Sequence, residues 1–196
     1  MNKTFENHDF GNEFENGKVL LFVGTLFYRP NVEGLKWFIE TIYPEFRRRH
    51  RDARLLVVGF SPTEEVRNLC RAAEGVELHA NVPDVKEYYK RSWVVVVPLL
   101  SGGGTRIKIL EAALAGRPVL STPVGAEGLD LVEGRDLLLF QNAEEFSLRF
   151  KKLLDKEKYD SVVSSARDFV RENYSIAKFD EAMKKVVHTI DGKMDK

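Results

Sequence analysis

Short apolar runs alternate with longer amphipathic segments along almost the whole chain, starting at Lys18. The run from Trp93 to Val97 is continuously apolar, which is typical of a strand buried on both faces of a sheet. The same pattern, with glycine and proline as end signals, predicts six strands. They are 19–23, 54–58, 76–79, 93–97, 118–122 and 137–140.

The segments between these runs carry apolar positions at helical spacing. A long helix is predicted from Asn31, as its N-cap, to Arg49, with a break or kink at Pro44. Asp84 is predicted to cap a shorter helix that ends near Arg91. The other predicted helices are 63–73, one that follows a glycine loop and ends at 116, and a helical region after 142 with breaks near 155 and 173.

This alternation predicts an α/β fold: a doubly wound, Rossmann-like parallel sheet of about six strands, with helices on both faces, in a single domain. The expected strand order is 3-2-1-4-5-6, which makes strands one and four neighbours and opens a ligand crevice outside their carboxyl ends. The predicted domain covers residues 18–190. A linker or N-terminal arm (1–17) precedes it and a short tail (191–196) follows it.

Composition limits the choice of partners. Among 196 residues, Lys plus Arg number 30 and Asp plus Glu number 30, so no net field points to a nucleic acid. The single Cys70 and four scattered histidines offer no metal-ligand spacing, so neither a metal nor a cofactor is predicted. No apolar run approaches the ~20 residues of a transmembrane segment. We expect a cytoplasmic domain, either free or peripheral at the inner face of the membrane.

Two glycine-bearing loops follow the strands that flank the predicted crevice. Gly24 and Thr25 follow the first strand, and Ser101 to Gly104 follow the fourth. Glycines let the backbone turn sharply and let a ligand come close to it. The helix after the second loop would direct its free amide groups at that loop, which predicts an anion site. The alternative is a purely structural turn.

Two cationic residues, Arg106 and Lys108, stand at the start of that helix. They suit a phosphate or diphosphate, although a solvated helix face is the commoner explanation for such a pair. An NAD-type site would place G-x-G-x-x-G after the first strand, and a P-loop would contain Gly-Lys-Ser/Thr. Neither pattern is present.

Glu111 occupies an unusual position on the same helix. Ile107, Leu110 and Leu114 form an apolar stripe that is predicted to face the sheet, and Glu111 lies at its margin. A carboxylate there is costly unless it is satisfied. Either Lys108 or the vicinal hydroxyls of a ligand, such as those of a ribose, could satisfy it.

Three segments resemble the donor-binding half of group 1 glycosyltransferases, which are retaining enzymes with the two-domain GT-B fold. They are GGGTRIKILEA at 102–112, GRPVLST at 116–122 and GAEGL at 125–129. The resemblance covers about residues 18–190. It implies a hexosyl transferase that moves a sugar from a UDP- or GDP-sugar to an acceptor hydroxyl in polysaccharide biosynthesis, without a metal.

The resemblance assigns donor-binding roles by position. Glu111 matches the glutamate that binds the ribose hydroxyls, and Val82 matches the residue whose backbone contacts the base. Arg106 and Lys108 receive a general electrostatic role, and no catalytic residue is assigned. The phosphates are assigned to the loops after the first and fourth strands and to the helix start: Gly24, Thr25, Gly102, Gly103, Gly104 and Thr105.

The sequence departs from the family pattern at two places. Gly103 stands where many members carry a glutamate that touches the transferred sugar. The basic pair that many members place after the first strand is missing, because Thr25 follows Gly24 and Asn31 stands near the lysine position. Arg29 is the candidate substitute, and its exposure to solvent is the alternative.

The resemblance also implies an N-terminal acceptor domain of comparable length, which would bind a glycan or a lipid-linked acceptor. We therefore expect this chain to be one half of the enzyme, either excised or working with a separate partner, and to lack turnover alone. A non-catalytic nucleotide-sugar-binding or protein-interaction module is the main alternative. Half of a sugar-nucleotide epimerase is a third interpretation that no motif favours.

Overall fold

The computed structural model describes residues 18–104 and 106–174. The predicted arm (1–17), Thr105, residues 175–190 and the tail (191–196) lie outside the described residues. The described strands form one sheet in the order β3-β2-β1-β4-β5-β6, and every pair in it is parallel. The predicted strand order is confirmed. The strands are β1 (Val19–Val23), β2 (Arg54–Gly59), β3 (Val76–Ala80), β4 (Val94–Val97), β5 (Val119–Ser121) and β6 (Leu138–Leu139).

Helices connect these strands, as right-handed crossovers between parallel strands require. Between α1 and α2 the chain forms a π-helical segment, Phe38–Ile42. The described α-helices are α1 (Arg29–Trp37), α2 (Tyr43–Arg49), α3 (Glu64–Ala72), α4 (Lys86–Arg91), α5 (Ile107–Leu114), α6 (Pro123–Ala126), α7 (Ala143–Leu153) and α8 (Lys156–Asn173).

Both faces of the sheet are covered, as predicted. One core cluster contains Phe38, Phe46 and Phe146, from the helical segments between β1 and β2 and from α7. The other contains Leu110 of α5 and Val170 of α8. Because β4 lies between the two layers, all four of its valines are buried. Each such side chain contributes about 1.5–3 kcal/mol.

The predicted break at Pro44 is confirmed. The helix that follows β1 passes through the π-helical segment, and Pro44 then stands in the first turn of α2, where its missing N–H is not needed.

The predicted N-cap at Asn31 is wrong. Helix α1 already begins at Arg29, because Pro30 fits a first helical turn, and Asn31 is buried inside the helix. The predicted capping role of Asp84 is confirmed. Although Val85 stands directly before α4, Oδ1 of Asp84 accepts a hydrogen bond from the backbone N–H of Lys86, in the first turn, at 2.9 Å.

Candidate functional site

The loops after β1 and β4 meet at the carboxyl edge of the sheet, where the crevice was predicted. Leu20 and Leu21 of β1 pair with Val94 and Val95 of β4, so both strands point their carboxyl ends to the same side. A Cβ on Gly102 would stand 3.0 Å from the ring of Pro30, which brings the second loop against the start of α1. The two loops therefore form adjoining walls of one site.

The glycine loop adopts backbone conformations that other residues rarely accept. Gly102 has φ +104° and Gly104 has φ +94°, both in the region that favours glycine. A Cβ on Gly103 or Gly104 would find no heavy atom within 4 Å. The loop is exposed at these positions, so a ligand can approach its backbone. Thr105, assigned to the same loop, lies outside the described residues.

Arg106 does not lie on a solvated helix face. Its residue is 6% exposed, and Nη2 donates to the carbonyl oxygens of Gly102 (2.7 Å) and Val124 (3.1 Å). Nη1 donates to the carbonyl oxygen of Gly103 at 3.1 Å. Arg106 thus holds the glycine loop against α6, the short helix after β5, and a ligand would meet the loop that this guanidinium positions.

Glu111 is held by a residue that the sequence did not single out. The hydroxyl of Tyr89, on α4, donates to Oε2 of Glu111 at 3.2 Å. Burial raises the pKa of Glu111, while the hydrogen bond from Tyr89 and the charge of Lys108 oppose that rise. Burial and the neighbouring carboxylate raise the pKa of Tyr89 well above its usual value, so the phenol remains a donor. Among the described residues, Oε1 accepts no hydrogen bond and can take one from a ligand hydroxyl.

Two expectations about α5 are corrected. Lys108 forms no ion pair with Glu111 in the described part of the chain; its ammonium turns instead to Asn31. Ile107 is 47% exposed and does not face the sheet, whereas Leu110 and Leu114 are buried as predicted. The helix begins only at Ile107, so its first residue extends past the core.

The loop after β1 is tied to α5 through Asn31. Nδ2 of Asn31 donates to the carbonyl oxygen of Thr25 at 3.0 Å, and Oδ1 accepts from Nζ of Lys108 at 2.9 Å. A Cβ on Gly24 would stand 2.8 Å from Nδ2 of Asn31 and 3.2 Å from Nζ of Lys108. Glycine is therefore needed at position 24 because these two side chains pack against its Cα. Burial, with the nearby charge of Arg106, lowers the pKa of Lys108 to about 8.

Val82 lies beside a cavity of about 330 Å³ at the carboxyl ends of β2 and β3, which Gly59, Phe60, Asn81 and Val85 also line. Phe60 is 64% exposed, so packing in the core does not explain an aromatic side chain at this position. The loops after β2 and β3 are joined by a 2.8 Å hydrogen bond from the backbone N–H at position 61 to Oδ1 of Asn81. A planar ring of the size of a nucleobase fits such a space.

Arg29 does not replace the missing basic pair. Its side chain is 87% exposed and forms an ion pair with Glu33 at 2.6 Å.

Sequence reasoning missed Tyr89, Asn31 as a bridge, and Phe60. The only available signals were a tyrosine in the predicted helix before β4 and an aromatic residue directly after Gly59.

In residues 18–104 and 106–174, no three His, Cys, Asp or Glu side chains gather to hold a metal ion. Independence from metals remains a prediction. No helix in that part of the chain is long and apolar enough to cross a membrane.

Comparison with solved structures places this fold among GT-B glycosyltransferases. The C-terminal domain of LpcC from Francisella tularensis, a group 1 family protein, matches with a TM-score of 0.70 at 17% identity, covering 90% of this chain and 100% of that chain. HepE from Anabaena, solved in complex with UDP-glucose, matches with a TM-score of 0.73 at 11% identity, covering 93% of this chain and 56% of that one.

A curated relative and a family model extend the comparison to sequence. An uncharacterised 44.6 kDa protein in the cps region of Klebsiella pneumoniae is 26% identical over 169 residues, which cover 81% of this chain and 43% of the relative. This chain therefore spans less than half the length of that relative. The model of the glycosyl transferases group 1 family matches residues 17–156, well over half of the chain. The chain belongs to the group 1 glycosyltransferases.

Proposed function

We propose that this chain is the donor-binding half of a retaining glycosyltransferase, which transfers a sugar from a nucleoside diphosphate sugar to an acceptor hydroxyl. The observation that carries the proposal is the environment of Glu111. Tyr89 fixes one oxygen of this half-buried carboxylate, and the other remains available on the helix that follows the glycine loop. A carboxylate of this kind can accept hydrogen bonds from the vicinal hydroxyls of a ribose.

The remaining parts of a nucleotide fit the neighbouring features. The amide groups of Gly103 and Gly104, with the positive end of the α5 dipole, suit the diphosphate. The cavity beside Val82 suits the base. HepE was solved with UDP-glucose, which supports a UDP-sugar as the first donor to test, with GDP-sugars next.

The chemical role of this half is to stabilise the departing diphosphate. Preorganised amide groups and cationic side chains lower the cost of the negative charge that develops as the bond to the sugar breaks. Groups that bind and activate a glycan or lipid-linked acceptor would come from another domain or partner, since the chain spans 43% of its curated relative. The cps-region relative supports a role in polysaccharide biosynthesis, and the free, buried Cys70 suits the cytoplasm.

The test is a calorimetric titration of the domain with UDP and GDP, for the wild type and for Glu111→Ala. We expect wild-type binding and at least tenfold weaker binding by the variant, because about 1.5–3 kcal/mol is lost with hydrogen bonds to a charged group. Glu87→Ala, which removes an exposed glutamate on α4, is the matched control. Equal affinity of the wild type and Glu111→Ala would remove the ribose role, and the absence of any nucleotide binding would favour an interaction module.

A further inference from the structure

Lys108 occupies a position that is costly for a cation without a ligand. Its Nζ lies 5.0 Å from the ring centroid of Phe22 and against the Cα of Gly24. An ammonium group has three N–H donors. Among the described residues only Oδ1 of Asn31, at 2.9 Å, accepts from it. Two donors therefore remain for a group that enters the crevice.

The neighbouring arginines are already committed to other partners. Arg29 turns to solvent and pairs with Glu33. Both terminal nitrogens of Arg106 donate to backbone carbonyl oxygens of the surrounding loops. The buried Nε of Arg106 has no partner in the described part of the chain, but the guanidinium is held by the backbone that it supports, whereas two of the three donors of Lys108 are uncommitted.

Asn31 determines where that ammonium group lies. Its Nδ2 donates to the carbonyl oxygen of Thr25 at 3.0 Å, which fixes the orientation of the side-chain amide. With Nδ2 anchored, Oδ1 must face α5, where it accepts from Lys108. The amide is buried, so it has little freedom to rotate away.

We propose that Lys108 binds the diphosphate of the nucleotide directly and that Asn31 is the positioning residue that holds its ammonium group at the mouth of the crevice. The proposal rests on the proposed function, since it names the cation that the donor site of this chain uses. It places that cation on the helix after β4, in a chain that lacks a basic pair after β1.

The surroundings of Lys108 predict a pH dependence of binding. Its charged neighbours are Arg106, directly before α5, and Glu111 on α5, while α1 and β1 present the uncharged Asn31 and Phe22. Tyr89 on α4 donates to the backbone carbonyl oxygen of Lys108. Burial lowers the pKa of Lys108 to about 8. A diphosphate binds the ammonium form. Because UDP loses its last phosphate proton at about pH 6, its affinity should be constant only from about pH 7 to 8 and fall up to tenfold per pH unit above that.

The experiment compares two ligands that differ only in the diphosphate. UDP and uridine are titrated by calorimetry into the wild type, Lys108→Met and Lys152→Met, which removes an exposed lysine of α7 as the matched control. We expect Lys108→Met to weaken UDP binding about 10- to 100-fold. Uridine binding should stay within twofold, and in the variant the ratio of UDP affinity to uridine affinity, in which ionisation of the uracil ring cancels, should no longer change between pH 7.5 and 9.5.

Asn31→Leu separates positioning from direct contact. Without its acceptor, the ammonium group loses a partner, so the fall in UDP affinity should begin at a lower pH, while uridine binding is retained. Thermal melting shows whether each variant folds, and Lys108→Gln, which keeps a polar side chain on α5, replaces Lys108→Met if that substitution prevents folding.

The outcomes separate this proposal from the one on which it rests. If the wild type binds neither UDP nor GDP, the proposed function fails. If Lys108→Met binds UDP as tightly as the wild type, the role of Lys108 is overturned and the donor site stands. If Lys108→Met lost affinity for UDP and for uridine by the same factor, Lys108 would only support the fold. That result would also overturn its proposed contact with the diphosphate.

Discussion

Arg106 connects the glycine loop to the rest of the site with three hydrogen bonds to backbone carbonyl oxygens. Lysine keeps the charge but cannot reach three acceptors in a fixed fork. We expect Arg106→Lys to weaken UDP binding about tenfold, because the loop amides lose their fixed orientation, with roughly 1–3 kcal/mol lost in stability. Calorimetry and thermal melting measure the two effects. The control is Arg29→Lys, at an exposed guanidinium. An unchanged affinity in Arg106→Lys would show that the loop needs no such support.

The raised pKa of Glu111 predicts that its ionised carboxylate lowers the stability of the folded protein at neutral pH, although the same carboxylate is the form proposed to bind a ligand. Burial favours the neutral carboxyl of Glu111 in the folded state. This group therefore contributes its full stabilisation to the folded protein below the usual carboxyl pKa of 4.5, and the contribution is lost as pH rises through the raised pKa. Glu111→Gln stays neutral throughout and can still accept from Tyr89. We expect its Tm to exceed that of the wild type by about 2–4 °C at pH 7 and the difference to vanish towards pH 4.5.

Melting curves between pH 4.5 and 8 measure this difference, with Glu87→Gln at an exposed position of α4 as the control. A wild type that is as stable as Glu111→Gln at pH 7 would mean that the carboxylate pays no desolvation cost in the folded protein.

At the residue scale, sequence reasoning found Glu111 because a helix wheel places it at the edge of an apolar stripe. It could not find Tyr89 or Asn31, whose contacts join residues that are 22 and 77 positions apart. A solvated helix face was the commoner explanation for Arg106 from its residue type alone. The guanidinium is buried instead and donates to the carbonyl oxygens of Gly102 and Gly103.

At the scale of elements, α1 packs closely on the chain that leaves β4. A Cβ on Gly34 would collide with the carbonyl oxygen of Pro98 and stand 3.2 Å from the Cα of Leu99. We expect Gly34→Ala to lower the free energy of unfolding by about 1–3 kcal/mol, as over-packing does elsewhere, measured by denaturant unfolding.

Gly103→Ala serves as the matched control for this prediction, because a Cβ there meets no atom within 4 Å. Equal stabilities for the two alanine variants would show that α1 can move away from the end of β4 at little cost.

Strand order and the two helical layers could be predicted because each buried strand leaves a continuous apolar run and parallel neighbours need crossover helices. Helix starts were less predictable: Pro30 allowed α1 to begin before Asn31. The short helix α6 was missed because four residues show no periodicity, although Thr122 caps it with a 3.0 Å hydrogen bond from Gly125.

At the scale of the molecule, the described residues form cavities near both edges of the sheet. The crevice between the loops after β1 and β4 and the space beside Val82 lie at the carboxyl edge. A cavity of about 550 Å³ lies near the amino ends of β2 and β3, lined in part by Tyr43, Arg47, Arg51 and Glu74. Arg47 is paired with Glu74 at 2.5 Å, so part of its charge is already balanced.

An amide NMR titration of the domain with UDP reports every perturbed backbone position at once and so tests whether the nucleotide binds at the carboxyl edge of the sheet. We expect shifts at Gly24, Val82, Gly102–Gly104 and Glu111, all at that edge. Shifts confined to the cavity around Arg47 and Glu74, or no shifts with UDP or GDP at millimolar concentration, would contradict this expectation.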